Sequence, residues 1–355
     1  MLRRIVNASK TPSSILLLTL TVFAFGCWGQ TEEQALQSLR NFAGGGKNPP
    51  QDVVSQIERR FAGKRTGALA KLVHAKIKFD EKDFAGAALL LNTDEFARLT
   101  NIADHALFLR GQSLQQSEQY AEAMRTFEKL INEHPQSIRI NDAKLFWADS
   151  ATAGGFASRV PDFLDGINSA DALLRIAKAY EAQNKSDDAL KFYRRTYFHG
   201  AGTDAAKEAE AKLTSLAQPL TPQNADEAAT RAEKLYNSKN WATADKAYSD
   251  LVINYPASLT PPIQLKRLTV LANVRKGIEA QAVFNSIPAS AKEKEEAYYQ
   301  LVMAYAKAKM WPDARRMADE MRVKYPAGKF TVKAWVDAGM AAREAKNKGE
   351  EQGFL

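Results

Sequence analysis

Six alanines, Ala87, Ala123, Ala189, Ala244, Ala280 and Ala314, hold the same place in a recurring helical pattern, at gaps of 36, 66, 55, 36 and 34 residues. A period of this size constrains the fold more than any other feature. Each unit is one helical hairpin that cannot bury its apolar face alone, so neighbouring units must stack. From Gln51 to about Lys346 apolar residues recur at three and four spacings, and no run of alternating β-branched residues interrupts them. The expectation is an all-α chain with strand content near zero.

Asp104–Ser137 shows the unit best. In a 34-position frame Leu107 falls at 4, Gly111 at 8, Leu114 at 11, Tyr120 at 17, Ala123 at 20, Phe127 at 24, Leu130 at 27 and Pro135 at 32. Positions 8 and 20 must be small because helices A and B cross closely there. Large residues at 4, 11 and 24 fill the space beside the crossing, and proline at 32 ends helix B. The frame returns with Ala232, Leu235, Trp241, Ala244, Tyr248, Leu251 and Pro256, and again with Tyr298, Leu301, Tyr305, Trp311, Ala314, Met321 and Pro326. Ile176, Ala177, Tyr180, Ala189 and Tyr193 form a further copy, and weaker ones centre on Ala87 and Ala280. The gap of 66 predicts a degenerate unit near Leu145–Phe163, carrying Trp147, Phe156 and Phe163. The gap of 55 leaves room for one added helix, Asp204–Leu216.

These residues resemble the tetratricopeptide repeat, with Arg110 departing from the apolar residue the family has at position 7. The resemblance implies a right-handed α-solenoid over residues 51–345, with Thr331–Ala345 as a capping helix and 346–355 as a polar tail. It also implies a concave groove lined by positions 2, 5, 9, 12 and 13 of the A helices. The groove candidates are His105, Phe108, Gln112, Gln115 and Gln116, then Lys178 and Glu181, Glu233, Tyr236 and Asn237, and Tyr299, Met303 and Lys307. Amides, aromatics and scattered charge of this kind suit an extended peptide or a partner helix. Chaperone-tail binders of the family have lysine and asparagine at positions 5 and 9. Phe108 and Gln112, then Leu174 and Lys178, stand there instead.

The N-terminus has a second signature. Residues 1–10 are basic, through Arg3, Arg4 and Lys10, and Ile15–Phe25 is an apolar run of 11 residues. This is the pattern of a secretory signal peptide over 1–26, too short for a membrane span of about 20 apolar residues. Cys27, the one cysteine, follows Gly26 and resembles the lipidated cysteine of bacterial lipoproteins, although Ala24 and Phe25 depart from that family's preferred residues. Lipidation at Cys27 and ordinary cleavage nearby both stay open. Residues 27–50 read as a tether holding one short helix, because Gly44-Gly45-Gly46 and Pro49-Pro50 break any longer one. The expected location is outside the cytoplasm, in the periplasm or anchored to the outer membrane facing it.

Composition and motifs exclude most chemistry. Without the basic leader the formal charge of +8 falls to +5, a weak excess that argues against a nucleic-acid partner. His74, His105, His134 and His199 show no helical zinc spacing, and a lone cysteine builds neither a disulfide nor a cysteine zinc site. No nucleophile elbow or phosphate loop occurs. The basic clusters at Arg59-Arg60 with Lys64-Arg65, at Lys191 with Arg194-Arg195, and at Arg315-Arg316 with Arg322 and Lys324 read as solvated helix faces. The stretch Ala103–Ser137 with its "HPQS", followed by the "LFWA" helix, resembles repeats of the outer-membrane assembly lipoprotein and the Tol–Pal coordinator. It also resembles the superhelix of soluble lytic murein transglycosylases, whose Glu-Ser and Gly-Leu-Met-Gln motifs are absent. The sequence therefore reads as a non-catalytic envelope scaffold without metal or cofactor. It would bind protein or peptide partners and touch a membrane only through an N-terminal lipid. The alternative is a peptidoglycan-associated relative of the transglycosylases, or the partner of a murein hydrolase.

Overall fold

The computed structural model describes residues 31–44 and 49–355. The expected signal peptide, Cys27 and residues 45–48 lie outside the described residues. The described chain is all-α, with no strand, and divides into two compact units, residues 1–165 and 166–355.

The first unit holds α1 (Glu32–Gly44), α2 (Gln51–Arg60), α3 (Arg65–Asp80), α4 (Phe84–Leu90), α5 (Glu95–Leu99), α6 (Ala103–Gln116), α7 (Tyr120–Glu133), α8 (Ile140–Ala153) and α9 (Val160–Phe163). The second holds α10 (Ala170–Ala182), α11 (Ser186–His199), α12 (Asp204–Ser215), α13 (Ala225–Asn237), α14 (Trp241–Asn254), α15 (Pro261–Asn273), α16 (Gly277–Ser286), α17 (Lys294–Lys307), α18 (Trp311–Lys324), α19 (Thr331–Glu344) and α20 (Lys348–Phe354). Within each unit a helix touches only helices up to three places on in the chain, which is the solenoid arrangement. All six position-20 alanines are buried, at 0–4% exposure, so the repeat marks real helix crossings. The added helix of the long gap is α12, and the degenerate unit is α8 followed by the single turn of α9. There Trp147 is fully buried and stacks on Phe163 at 3.7 Å, whereas Phe156 stands exposed beside Gly155 at φ +84°.

Two boundaries depart from expectation. Residues 31–44 are no tether: Ala35 and Leu39 are buried against Val54, Ile57, Ala70 and Ile77. Their spacing of four puts both on one face of α1, which is enough to dock it. The tail is not simply polar either. Residues 348–354 form α20, whose Phe354 is 5% exposed and packs on Trp335. The repeat frame runs on through this pair, with Gly339 at position 8 lying under Leu355 at position 24. Thr331–Ala345 is therefore the A helix of a hairpin and not a lone cap.

Eight A-type helices, including α12, end on the same device. Lys82, Glu118, Asn184, Ala217, Lys239, Arg275, Lys309 and Lys346 all have φ between +53° and +65°. In each case the next residue's N–H donates back five residues to a carbonyl, for example Met310 to Tyr305 at 2.9 Å. This closes the helix in a Schellman turn, where glycine is the cheapest residue. A side chain there costs about 1–2 kcal/mol. Lys309→Gly is accordingly expected to stabilise the second unit by about 1 kcal/mol. That raises its melting temperature by roughly 2–4 °C in a calorimetric scan. A lowered melting temperature would contradict the turn assignment.

Candidate partner-binding face

The A helices α3, α6 and α8 lie side by side in the first unit, and α13, α15, α17 and α19 do so in the second. The groove candidates stand on these helices and on α10, and they sort into three groups.

Two candidates are core and not groove. Phe108 is 7% exposed and sets its ring edge-on to Phe127 at 6.1 Å and to Phe146 at 5.5 Å. Met303 is 8% exposed within the cluster of Leu268, Tyr298, Leu301 and Tyr305. Position alone could not reveal this. Helix α17 is packed by α15, α16, α18 and α19, so residues 301–306 are buried all round the helix.

A second group bridges one A-type helix to the next. Lys178 Nζ pairs with Glu208 at 2.6 Å, and Glu181 pairs with Lys212 while accepting from the Tyr193 hydroxyl at 2.6 Å. Glu233 pairs with Lys266. The Tyr299 hydroxyl donates to Asp337 at 2.7 Å, and Lys307 Nζ donates to Asn273 at 2.8 Å. Gln115 Nε2 donates to the Phe146 carbonyl at 3.3 Å. Apart from Tyr193, on the B helix of the same hairpin, these partners lie 30–38 residues away, one or so repeats on or back. The side chains read as groove contacts therefore form a lateral ladder holding successive A-type helices together. Burial alone would raise the Glu181 carboxyl, but the hydrogen bonds from Lys212 and Tyr193 outweigh it and hold it below its ordinary value.

The third group is open. Gln112 and Tyr236 are half-buried, Gln116 and Asn237 are exposed, and none has a side-chain hydrogen bond. Tyr236 packs edge-on to Trp241 at 5.9 Å. His105 is half-buried, with Nδ1 buried and unpartnered. Burial and then the nearby Arg139 charge hold its imidazole below its ordinary value, which keeps it neutral. Tyr236 also lines a cavity of about 420 Å³ with Pro262, Leu265, Lys266, Lys292, Glu293 and Glu296. Pro262 and Leu265 occupy positions 2 and 5 of the weak copy around Ala280. The same frame would have placed them on this face had it been projected onto that copy.

The basic cluster at Lys191 with Arg194-Arg195 is not merely solvated. Arg194 holds Glu227 with two bonds, of 2.9 and 2.6 Å, and also donates to the carbonyls of Pro219 at 3.0 Å and Thr221 at 2.7 Å. The Gln223 N–H completes the clamp on Glu227 at 2.7 Å. Burial raises the Glu227 carboxyl, and the bonds from Arg194 and Gln223 more than offset it, leaving the group below its ordinary value of about 4.3. A depressed carboxyl contributes stability that is full above its unfolded value and is lost as pH falls through the folded one. The second unit is therefore expected to weaken below about pH 4. Glu227→Gln should flatten that acid limb while lowering stability at pH 7, as read from denaturant melts across pH. An unchanged acid limb would remove Glu227 from the account.

Among the described residues no group of three or more His, Cys, Asp or Glu is placed to hold a metal ion, and no helix is long and apolar enough to cross a membrane. The fold defines a helical-hairpin repeat protein in which a ladder of side-chain contacts braces successive A-type helices within each unit. Residues 105–137 and 171–196 match the model of the tetratricopeptide repeat family, one segment in each unit. No curated protein matches the chain. Among solved structures it is similar to the TPR2AB-domain:pHSP90 complex of yeast Sti1, at 17% identity, over 80% of this chain and 98% of that one, with a TM-score of 0.25. It is also similar to the APC/C hetero-tetramer Cut9–Hcn1, at 14% identity, over 95% of this chain and 62% of that one, with a TM-score of 0.30.

Proposed function

We propose that the protein is a non-catalytic scaffold of the cell envelope that binds protein partners on the A-helix face. The observation that carries the reading is the set of polar and aromatic side chains left without hydrogen-bond partners there. Gln112 and Gln116 lie in one unit, and Tyr236 and Asn237 lie in the other beside a cavity of about 420 Å³. Laddered neighbours hold the helices rigid while these groups stay free to be desolvated by a partner. The tetratricopeptide match supports recognition of a chain over chemistry on one bond. Export rests on the basic and apolar pattern of residues 1–26, and membrane attachment on Cys27.

A photo-crosslinking residue placed in turn at Gln112, Gln116, Tyr236 and Asn237 in cells should give protein adducts. The same residue at the exposed Ile253 or Val323 of the B helices should not. Cys27→Ala should in parallel move the protein from the detergent-requiring to the soluble fraction. Adducts arising only from the B-helix positions would overturn the groove reading. So would sedimentation with murein sacculi in the absence of any protein adduct, which would move the protein to the peptidoglycan class.

A further inference from the structure

In four hairpins position 5 or 9 of the A-type helix meets the next A-type helix. Phe108 of α6, at position 5, sets its ring edge-on to Phe146 of α8 at 5.5 Å. Lys178 of α10 and Glu233 of α13, both at position 9, pair with Glu208 of α12 and Lys266 of α15. Tyr299 of α17, at position 5, stacks on Phe330 at 5.5 Å and donates to Asp337 of α19. Position 1 of α17 joins the same contact, because Glu295 accepts from the Phe330 N–H at 2.9 Å. Positions 1, 5 and 9 therefore form the seam between successive A-type helices.

In α19 the same three positions hold Val332, Val336 and Met340. Helix α19 is packed by α17, α18 and α20, and these leave the three side chains 73%, 44% and 43% exposed. Spacings of four put all three on one face of the helix. No other helix among the described residues has more than one large apolar side chain so exposed. A terminal repeat of a solenoid ordinarily turns a polar face outward, because an apolar one is left against water. Helix α19 presents an apolar seam instead.

We propose that this seam is closed by α19 of a second copy of the chain, packed antiparallel across a two-fold axis at Val336. In the preceding hairpins these positions close on an A-type helix, so an A-type helix is the occupant the face fits. Val332 and Met340 stand four residues to either side of Val336, in a stripe about 12 Å long. Antiparallel packing about that point sets Val332 of each copy against Met340 of the other, and Val336 against its own equivalent. The stripe is thus complementary to itself, and the two helix dipoles oppose. A heterologous contact between copies would need a second apolar stripe elsewhere, and the described residues hold none. One helix pair buries less than a standard interface, so the dimer is a weak one. The contact joins copies of the chain, is separate from the residues of the proposed function, and goes beyond that reading.

The test follows sedimentation of the full chain over about a hundredfold range of concentration, because the dimer population obeys mass action. A thiol reductant keeps Cys27 from linking copies. The parent is expected to pass from monomer to dimer. Val336→Lys sets two ammonium groups against each other on the axis, and should weaken the dimer roughly tenfold or more while melting with the parent. Val336→Glu should do the same. An equimolar mixture of the two variants should recover the dimer, because opposite charges then meet on the axis. A parent that stays monomeric would overturn the proposal, as would a Val336→Lys protein that dimerises like the parent. A mixture that fails to recover the dimer would overturn the two-fold axis at Val336. Association that vanishes when residues 1–26 are removed would overturn it in favour of the apolar run 15–25 as the contact. A monomeric parent that crosslinks from Val336 to another protein would replace the second copy with that partner. Crosslinking from Gln112 and Tyr236 should be unchanged in Val336→Lys, so failure here and failure of the groove reading are distinguishable.

Discussion

Gly111→Val is expected to unfold the central hairpin of the first unit, at a cost of about 3 kcal/mol or more. A Cβ on Gly111 would stand 2.5 Å from Phe127 Cε1 and 2.6 Å from Cζ, closer than any real contact. The ring cannot yield, because Phe127 is fully buried with Phe108 edge-on to one side and Phe146 stacked at 6.0 Å. Relief would require α6 and α7 to separate, which exposes Leu109, Leu114 and Leu130 as well. Gly111→Ala should already destabilise, although alanine favours a helix by about 1 kcal/mol over glycine. Gly349 supplies the contrast. The nearest atom to a Cβ there is Asn347 Oδ1 at 3.7 Å, so Gly349→Ala should be neutral to stabilising by about 0.5–1 kcal/mol. Denaturant melts followed by circular dichroism compare the two. A Gly111→Val protein melting with the parent would show that α6 and α7 do not cross where the repeat frame puts them.

Arg194→Ala should cost the second unit about 3–5 kcal/mol, the scale for removing one partner of a buried ion pair. Arg194 and Glu227 are only 14% and 15% exposed, and the guanidinium also holds two carbonyls of the connection between α12 and α13. Its loss strands a charge and frees that connection together. Arg194 also lies 4.7 Å over the fully buried Phe198 ring, so packing is lost as well. The double variant Arg194→Ala with Glu227→Ala should recover part of the loss, because no unpaired carboxylate remains. Hydrogen exchange of residues 216–224 would report the freed connection. A loss below about 1 kcal/mol, the range of an exposed pair, would show that the clamp is a surface contact.

The basic cluster containing Arg194 shows why parts of the site were not legible. In the sequence it is one of three similar runs of Lys and Arg flanked by acids. Its partners, Glu227 and the carbonyls of Pro219 and Thr221, lie 25–33 residues away, beyond any local periodicity. The groove candidates tell the same story. The frame placed Lys178, Glu181, Glu233, Tyr299 and Lys307 on A-type helices, but pairing with the next helix consumes them. Phe108 and Met303 hold groove positions by number and core positions by contact. Gln112, Gln116, Tyr236 and Asn237 keep no side-chain hydrogen bond, although the Tyr236 ring packs on Trp241 of α14.

By itself the sequence determined the helices, the hairpins and the places where they cross. Those properties follow from spacings of three and four, from small residues where two backbones approach, and from prolines just beyond the ends of α7, α14 and α18 at Pro135, Pro256 and Pro326. All are rules that act within one repeat. Only the tertiary structure decided that α1 and α20 dock and that successive A-type helices are braced by a ladder. Each of these depends on which helix lies alongside, and that neighbour comes from a segment one repeat or more away in the chain.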